Sequence, residues 1–221
     1  MLSMLEEVVL LAVDEQSGQL RSTRESGTAY ALVAAVFFDL SLARKIDTDT
    51  EEIQIVDHAP TGDPLLDRVL DEMRARPSLK TVRDWLEAIF RGRYDLEGHA
   101  LASLDCRGIL RREKTKRLWI IDVERFPLVD GRPQQHVKER LLQTVLFDQI
   151  PDTRDIILVS LAEPCGLLSN FLTQTQLTVR GERIRMLCGL ETISRKVADA
   201  VAALDATLRQ SGATGAIQAI R

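Results

Sequence analysis

Cysteine is scarce in this chain, and its three copies, Cys106, Cys165 and Cys188, are far apart and odd in number. No C-x-x-C spacing occurs, so neither a zinc site nor a disulfide framework is expected. The three read as buried free thiols that pack as small apolar groups in a reducing compartment. Histidine is as sparse: His58, His99 and His136 fall in three different segments with no i, i+4 partner. A metal site needs several ligands to converge, so no metal is expected, and no cofactor. The nucleophile elbow G-x-S-x-G, the phosphate loop G-x-x-x-x-G-K-[ST] and the dinucleotide fingerprint G-x-G-x-x-G are all missing, which speaks against an enzyme. Positive charge is not in excess either. With 29 Lys and Arg against 33 Asp and Glu the net charge is -4, which argues against broad electrostatic capture of nucleic acid and leaves room only for a local basic patch. Long apolar runs are absent too: the longest uncharged one, Ala29 to Phe38, is about half of what a membrane span needs. The opening MLSMLEEVVLLAV contains Glu6 and Glu7 and no basic start, a poor secretory signal. The expected location is therefore cytoplasmic, or peripheral on a membrane.

What is present is the composition of a globular protein, 45% hydrophobic and 28% charged over 221 residues with few Pro and Gly, enough to bury a core without staples. Leu2 to Val13 reads as a short helix with Leu5, Val8, Val9 and Ala12 on one side, closed by a turn at 14–18. Thr28 to Lys45 is apolar on nearly every face, as a central helix wrapped by others would be. Ile46 to Asp57 carries the alternation of a short strand at Ile53 and Ile55. In Ala59-Pro60-Thr61-Gly62-Asp63-Pro64, Asp63 is placed as an N-cap with Pro64 at the first helical position. The helix it opens presents Leu65, Leu66, Val69, Leu70 and Met73, and another over about Leu79 to Phe90 buries Val82, Trp85, Leu86 and Ile89.

The centre departs from helix. His99 to Asp105 reads as a short helix stopped at Arg107-Gly108, Ile109-Leu110 as a strand, Arg111 to Arg117 as a charged turn and Leu118 to Ile121 as a second strand. Beyond it, Gln134 to Phe147 puts Val137, Leu141, Leu142 and Val145 on one stripe, Asp155 to Ala162 is almost wholly apolar, and Gln176 to Leu208 reads as two helices. The expected class is mainly α: a single globular helical domain over residues 1–210 with a short central β-hairpin, followed by a flexible tail over 211–221.

Acidic side chains such as Asp14, Glu15 and Asp63 are accounted for by turns and caps. A phosphate cradle at the 59–64 loop conflicts with Asp63, which puts negative charge where the anion would sit. Basic residues offer more. Arg107, Arg111, Arg112, Lys114, Lys116 and Arg117 crowd the hairpin against Glu113, with Arg21, Arg24, Arg44, Lys45, Lys138 and Arg140 as further candidates. Such a run is either a solvated face or a contact to an anionic lipid surface, where each Lys or Arg contributes about 1 kcal/mol. The helix, strand, basic turn, strand order also fits a winged-helix hairpin, although the helix before it carries almost no positive charge for groove contacts.

Four stretches resemble the Golgi phosphoprotein 3 family: Leu5-Glu6-Glu7-Val8-Val9-Leu10-Leu11; Ala59 to Asp67, the most specific; Arg107-Gly108-Ile109-Leu110 with Leu118-Trp119-Ile120-Ile121-Asp122 and Pro127-Leu128; and Val137-Lys138-Glu139-Arg140-Leu141. The similarity runs over about residues 4 to 208. It implies a mainly helical, non-catalytic domain that lies on the cytosolic face of a membrane and binds an anionic lipid headgroup. In eukaryotic members that headgroup is phosphatidylinositol 4-phosphate, and the members help retain glycosyltransferases, so the implied partners are a lipid and a membrane-enzyme client. Nucleic acid is not an expected partner, and a homo-oligomer is left open. The family's pocket combines a Trp and an Arg around the second helix with basic residues on a late helix. Aligned on Asp39-Leu40-Ser41-Leu42, the Trp falls near Arg24 and the Arg near Val33. Arg140 fits a late basic position with Lys138 beside it, and the next falls near Gln143. The Leu-Arg-Gly-Arg end of the second helix is here Leu42-Ala43-Arg44-Lys45. The lipid-binding residues implied are thus Arg140, Lys138, Arg24 and Arg44. The competing reading is an interaction scaffold with no headgroup site.

Overall fold

The computed structural model describes residues 1–21, 25–47, 52–92, 94–117, 121–148 and 150–190. Its hub is α1 (Met4–Ala12), all nine residues of which are buried, Glu6 and Glu7 included. Ser3 and Glu6 form a reciprocal capping box at its start, Ser3 Oγ accepting from Glu6 N at 3.0 Å and Glu6 Oε2 from Ser3 N at 2.7 Å. A helix end leaves orphan amides and carbonyls, and a buried end must find partners for them. Here distant side chains supply them. The Asp39 carboxylate accepts from the amides of Met4 and Leu5 at 2.7 and 3.1 Å. At the other end Gln134 Nε2 donates to the carbonyls of Leu10 and Val13, and Asn170 Nδ2 to that of Leu11.

Around this hub pack α2 (Glu25–Leu42), α5 (Leu96–Cys106), α6 (Arg132–Leu146) and α7 (Thr153–Ala162). Because Asp39 lies late in α2 and reaches the first turn of α1, the two helices run antiparallel. The near-continuous apolar run of α2 is explained by burial of Ala31 through Phe38 on all sides. It ends in a Schellman closure, with Arg44 N donating to Ser41 O and Lys45 N to Leu40 O. Arg44 occupies the left-handed region, φ 55°, a position that helix ends usually give to Gly. The helices α3 (Pro64–Ala75), α4 (Val82–Arg91), α8 (Gln174–Val179) and α9 (Gly181–Leu190) complete the described helical body, with a short 3-10 turn over Leu167–Asn170. Asp63 caps α3 as expected, accepting from Leu65 N and Leu66 N. Among the described residues no helix is long and apolar enough to cross a membrane.

Two small antiparallel hairpins interrupt the helices. The stretch expected as one strand at 46–57 is two, β1 (Ile46–Asp47) paired with β2 (Gln54–Ile55). The central hairpin also differs from expectation. The charged segment read as a turn is itself the strand β3 (Glu113–Arg117), paired with β4 (Ile121–Arg125) in the register Glu113 to Arg125 and Arg117 to Ile121. Its expected second strand was Leu118 to Ile121, of which 118–120 lie outside the described residues. The strand was hidden because Glu113-Lys114-Thr115-Lys116-Arg117 has no apolar residue to mark it, while its pairing is made by backbone hydrogen bonds that any residue can supply. Ile109-Leu110 contributes only an isolated bridge, Leu110 to Leu128. The expected helices beyond residue 190 and the 211–221 tail also fall outside the described residues. Cys165 is buried, as expected, whereas Cys106 is exposed and Cys188 half-buried.

Gly18 fixes the loop after α1. Its φ is +63°, its carbonyl accepts from Phe126 N at 2.7 Å, and an added Cβ would meet the Pro127 nitrogen at 2.5 Å and the Phe126 carbonyl carbon at 2.8 Å. Both obstacles are backbone and cannot swing aside. Gly18→Ala is expected to lower stability by about 2 kcal/mol, read as a lower urea midpoint at unchanged slope.

Candidate functional site

Arg140 lies on α6 with a quarter of its side chain exposed, and it is fully engaged inside the protein. Its Nη1 donates to Glu7 Oε1 at 3.0 Å and its Nη2 to Asp155 Oδ1 at 2.7 Å. Arg154 of α7 donates to the other Glu7 oxygen at 3.1 Å and to the Leu2 carbonyl at 2.7 Å. Two cations and two carboxylates thus close a compact network joining α1, α6 and α7, with Glu7 only 2% exposed. Burial works against the Arg140 charge, but hydrogen bonding and attraction from Glu7 and Asp155 hold the guanidinium above its ordinary range.

Lys138, two residues earlier, reaches Glu15 at 2.6 Å beyond the end of α1. It lines a polar cavity of about 250 Å3 with Asp14, Glu15, Arg21 and Asn170. Arg21 in turn meets Asp14 at 2.8 Å, and Asp14 is held below the usual carboxylate range chiefly by hydrogen bonds from Ser17. Lys138 and Arg140 therefore end on different carboxylates at opposite ends of α1. Arg44 is exposed at the end of α2, and Arg24 lies outside the described residues.

A cavity of about 470 Å3 opens between α2 and α5, with Ala12, Leu32, Val33 and Leu96 among its apolar lining and Arg21, Tyr94, Asp95 and Glu97 as polar groups. Val33, near which the resemblance puts a pocket Arg, is buried in that wall. The acids come from the start of α5: Asp95 is its N-cap, accepting from Gly98 N at 2.9 Å, and Glu97 stands in its first turn, where the helix dipole favours negative charge. Desolvation and then the charge of Asp95 raise the Glu97 carboxyl above its usual range. Tyr94 is tied to α3, hydrogen-bonded to Glu72 with the Arg68 guanidinium 4.6 Å from its ring centre. Burial, then Glu72, push its hydroxyl up to about 12.

At the hairpin Arg112 forms a forked pair with Glu124 across the ribbon, closest approach 2.7 Å, and Lys114 approaches the same carboxylate at 3.8 Å. Arg111 and Lys114 are exposed. Three interactions were not legible in the sequence: the Asp39 cap on α1, the Glu7 network, and His99 Nε2 at 3.2 Å from Asp63, which joins the 59–67 segment to α5. The only signal for the first two was a carboxylate in an otherwise apolar run.

Two comparisons bear on what this arrangement belongs to. Vacuolar protein sorting-associated protein 74 of Eremothecium gossypii is 26% identical over 167 residues, covering 66% of this chain and 49% of that protein; the chain spans about half the length of this curated relative. The pattern described as Golgi phosphoprotein 3 (GPP34) matches residues 4–204, from the first residue of the buried hub helix to past α9. The chain belongs to the Golgi phosphoprotein 3 family.

Proposed function

We propose that this chain is a non-catalytic, peripheral membrane-binding module that docks on anionic phospholipid headgroups at the cytosolic face, with the β3–β4 hairpin as its basic contact. The observation that carries this is charge separation: residues 111–125 hold six Lys or Arg against three Asp or Glu in a chain whose net charge is -4. The sequence between the strands, Leu118-Trp119-Ile120, adds the apolar and aromatic residues that favour a bilayer interface. Membership of the family supports the same reading. Selection for phosphatidylinositol 4-phosphate through Arg140 and Lys138 has less support, because both cations are held by carboxylates of their own. Lipid choice then rests on charge density rather than on one headgroup.

Vesicle flotation tests this. The protein should float with phosphatidylcholine vesicles enriched in phosphatidylserine, leave them as salt rises, and gain little from phosphatidylinositol 4-phosphate beyond its charge. Replacing Arg111 and Lys114 together by Ala removes two exposed cations and should weaken binding roughly thirtyfold, at about 1 kcal/mol each. Equal flotation on neutral and acidic vesicles, or none on either, overturns the proposal and leaves the scaffold reading.

A further inference from the structure

The outward side of α9 is apolar and open to solvent. Ile184 and Leu187 form the buried side of this helix, while Met186 and Leu190, four residues apart, are 52% and 59% exposed. Val179, which closes α8 seven residues before Met186, is 73% exposed. The two helices follow each other almost without a break, since Arg180 N donates to Gln176 O and Ile184 N to Arg180 O, both at 2.9 Å. Their junction is held to the body. Arg180 and Arg183 face Asp148 at 3.2 and 3.7 Å, and Arg183 Nε donates to the Thr144 carbonyl at 2.8 Å. These bonds fix which side of α9 looks outward. Phe147, next to Asp148, is exposed as well, so the apolar residues form a patch rather than single scattered positions.

We infer that this face pairs with the same face of a second copy of this chain, antiparallel, in a symmetric dimer. Spacing identifies the kind of contact. After Met186 and Leu190 the sequence places Ile193, Val197, Ala200 and Leu204, in alternating steps of four and three, which is the repeat of a two-helix seam. Gly189 is exposed beside them, with nothing within 4 Å of an added Cβ, and leaves room for a close neighbour. Charge selects the second copy and its direction. Residues 180–196 hold five Lys or Arg against two Glu, and residues 197–208 hold two Asp and no cation. Antiparallel pairing lays the basic half of one copy on the acidic half of the other, whereas parallel pairing lays like on like. One register satisfies seam and charge together: Met186 against Val197 of the second copy, Leu190 against Ile193, and Glu182 against Lys196. Each of these contacts occurs twice, as a two-fold axis requires.

Sedimentation velocity on the full chain, over a wide range of concentrations, tests this. The mass should rise from 24.8 kDa at high dilution to twice that value. Met186→Asp combined with Leu190→Asp should hold it at one chain at every concentration. At high dilution the urea midpoint of that variant should match the parent, because both positions are exposed in the single chain. Glu182→Lys alone sets cations face to face at two places and should weaken the dimer roughly tenfold. Lys196→Glu alone should do the same, and the two substitutions together should restore the dimer. A parallel pair, with Glu182 far from Lys196 of its mate, would show no such rescue. A single chain at every concentration, a dimer that survives Met186→Asp with Leu190→Asp, or a double swap that fails to rescue overturns the inference. A single chain whose Met186→Asp, Leu190→Asp variant unfolds at lower urea would assign the face to this chain's own residues beyond 190 instead.

Discussion

Arg140→Ala should cost this protein about 3 kcal/mol of stability, so that its membrane binding has to be read beside its unfolding curve. The substitution leaves Glu7, 2% exposed, with Arg154 as its remaining cation and removes the ion pair of Asp155. Breaking one side of a buried ion pair typically costs about 3–5 kcal/mol, because the partner charge stays desolvated. The lower end applies, since a quarter of the Arg140 side chain meets solvent and Arg154 still compensates. Lys138→Ala provides the contrast: its partner Glu15 is 60% exposed, and such pairs are worth about 0–1 kcal/mol. Urea unfolding of both variants, with the slope checked for constancy, measures the difference. A midpoint for Arg140→Ala matching that of Lys138→Ala would mean that the network does not hold α6 and α7 against α1.

Asp39 sets the second large effect, through pH. Its carboxyl is pushed up to about 6, by burial first, despite opposing hydrogen bonds from the Met4 and Leu5 amides and the charge of Arg154. A carboxyl raised above its unfolded value of 3.8 binds its proton more tightly when folded. Its contribution to stability is therefore fully present below about pH 4 and is lost as pH rises through 6. A rise from 3.8 to about 6 is equivalent to about 3 kcal/mol. Asp39→Asn keeps one acceptor for the α1 amides and removes the titration. The stability of Asp39→Asn minus that of the wild type should therefore be larger at pH 7 than at pH 4.5, by about 2 kcal/mol. A difference independent of pH would remove Asp39 as the titrating group. The comparison is between variants because Asp57, Asp67 and Glu124, whose carboxyls are lowered by hydrogen bonds from Lys45, Thr61 and Arg112 respectively, act in the opposite sense on both.

What local chemistry dictates was legible along the chain. Asp63 before Pro64 can serve little but a helix start, and it caps α3. The run Ala31 to Phe38 has no polar face, so it had to be a wrapped helix, and it is. The β3 segment misled, because Glu113 to Arg117 has no apolar residue to mark a strand and its pairing is with backbone rather than core.

The binding residues divide on the same line. Lys and Arg positions can be read from sequence, and with them the charge of the hairpin against an acidic whole. Whether a given cation is free is a question of which carboxylate stands within about 4 Å of it, and those carboxylates come from far away: Glu7 is 133 residues from Arg140, and Glu15 is 123 from Lys138. A mainly helical body, the Asp63 cap and a basic central segment were readable from the order of residues, because these depend on neighbours a few positions apart. That Arg140 and Lys138 are spent on internal pairs, while Asp95 and Glu97 line one cavity, emerged only once the chain was folded, because ion pairing depends on distance in space rather than along the chain.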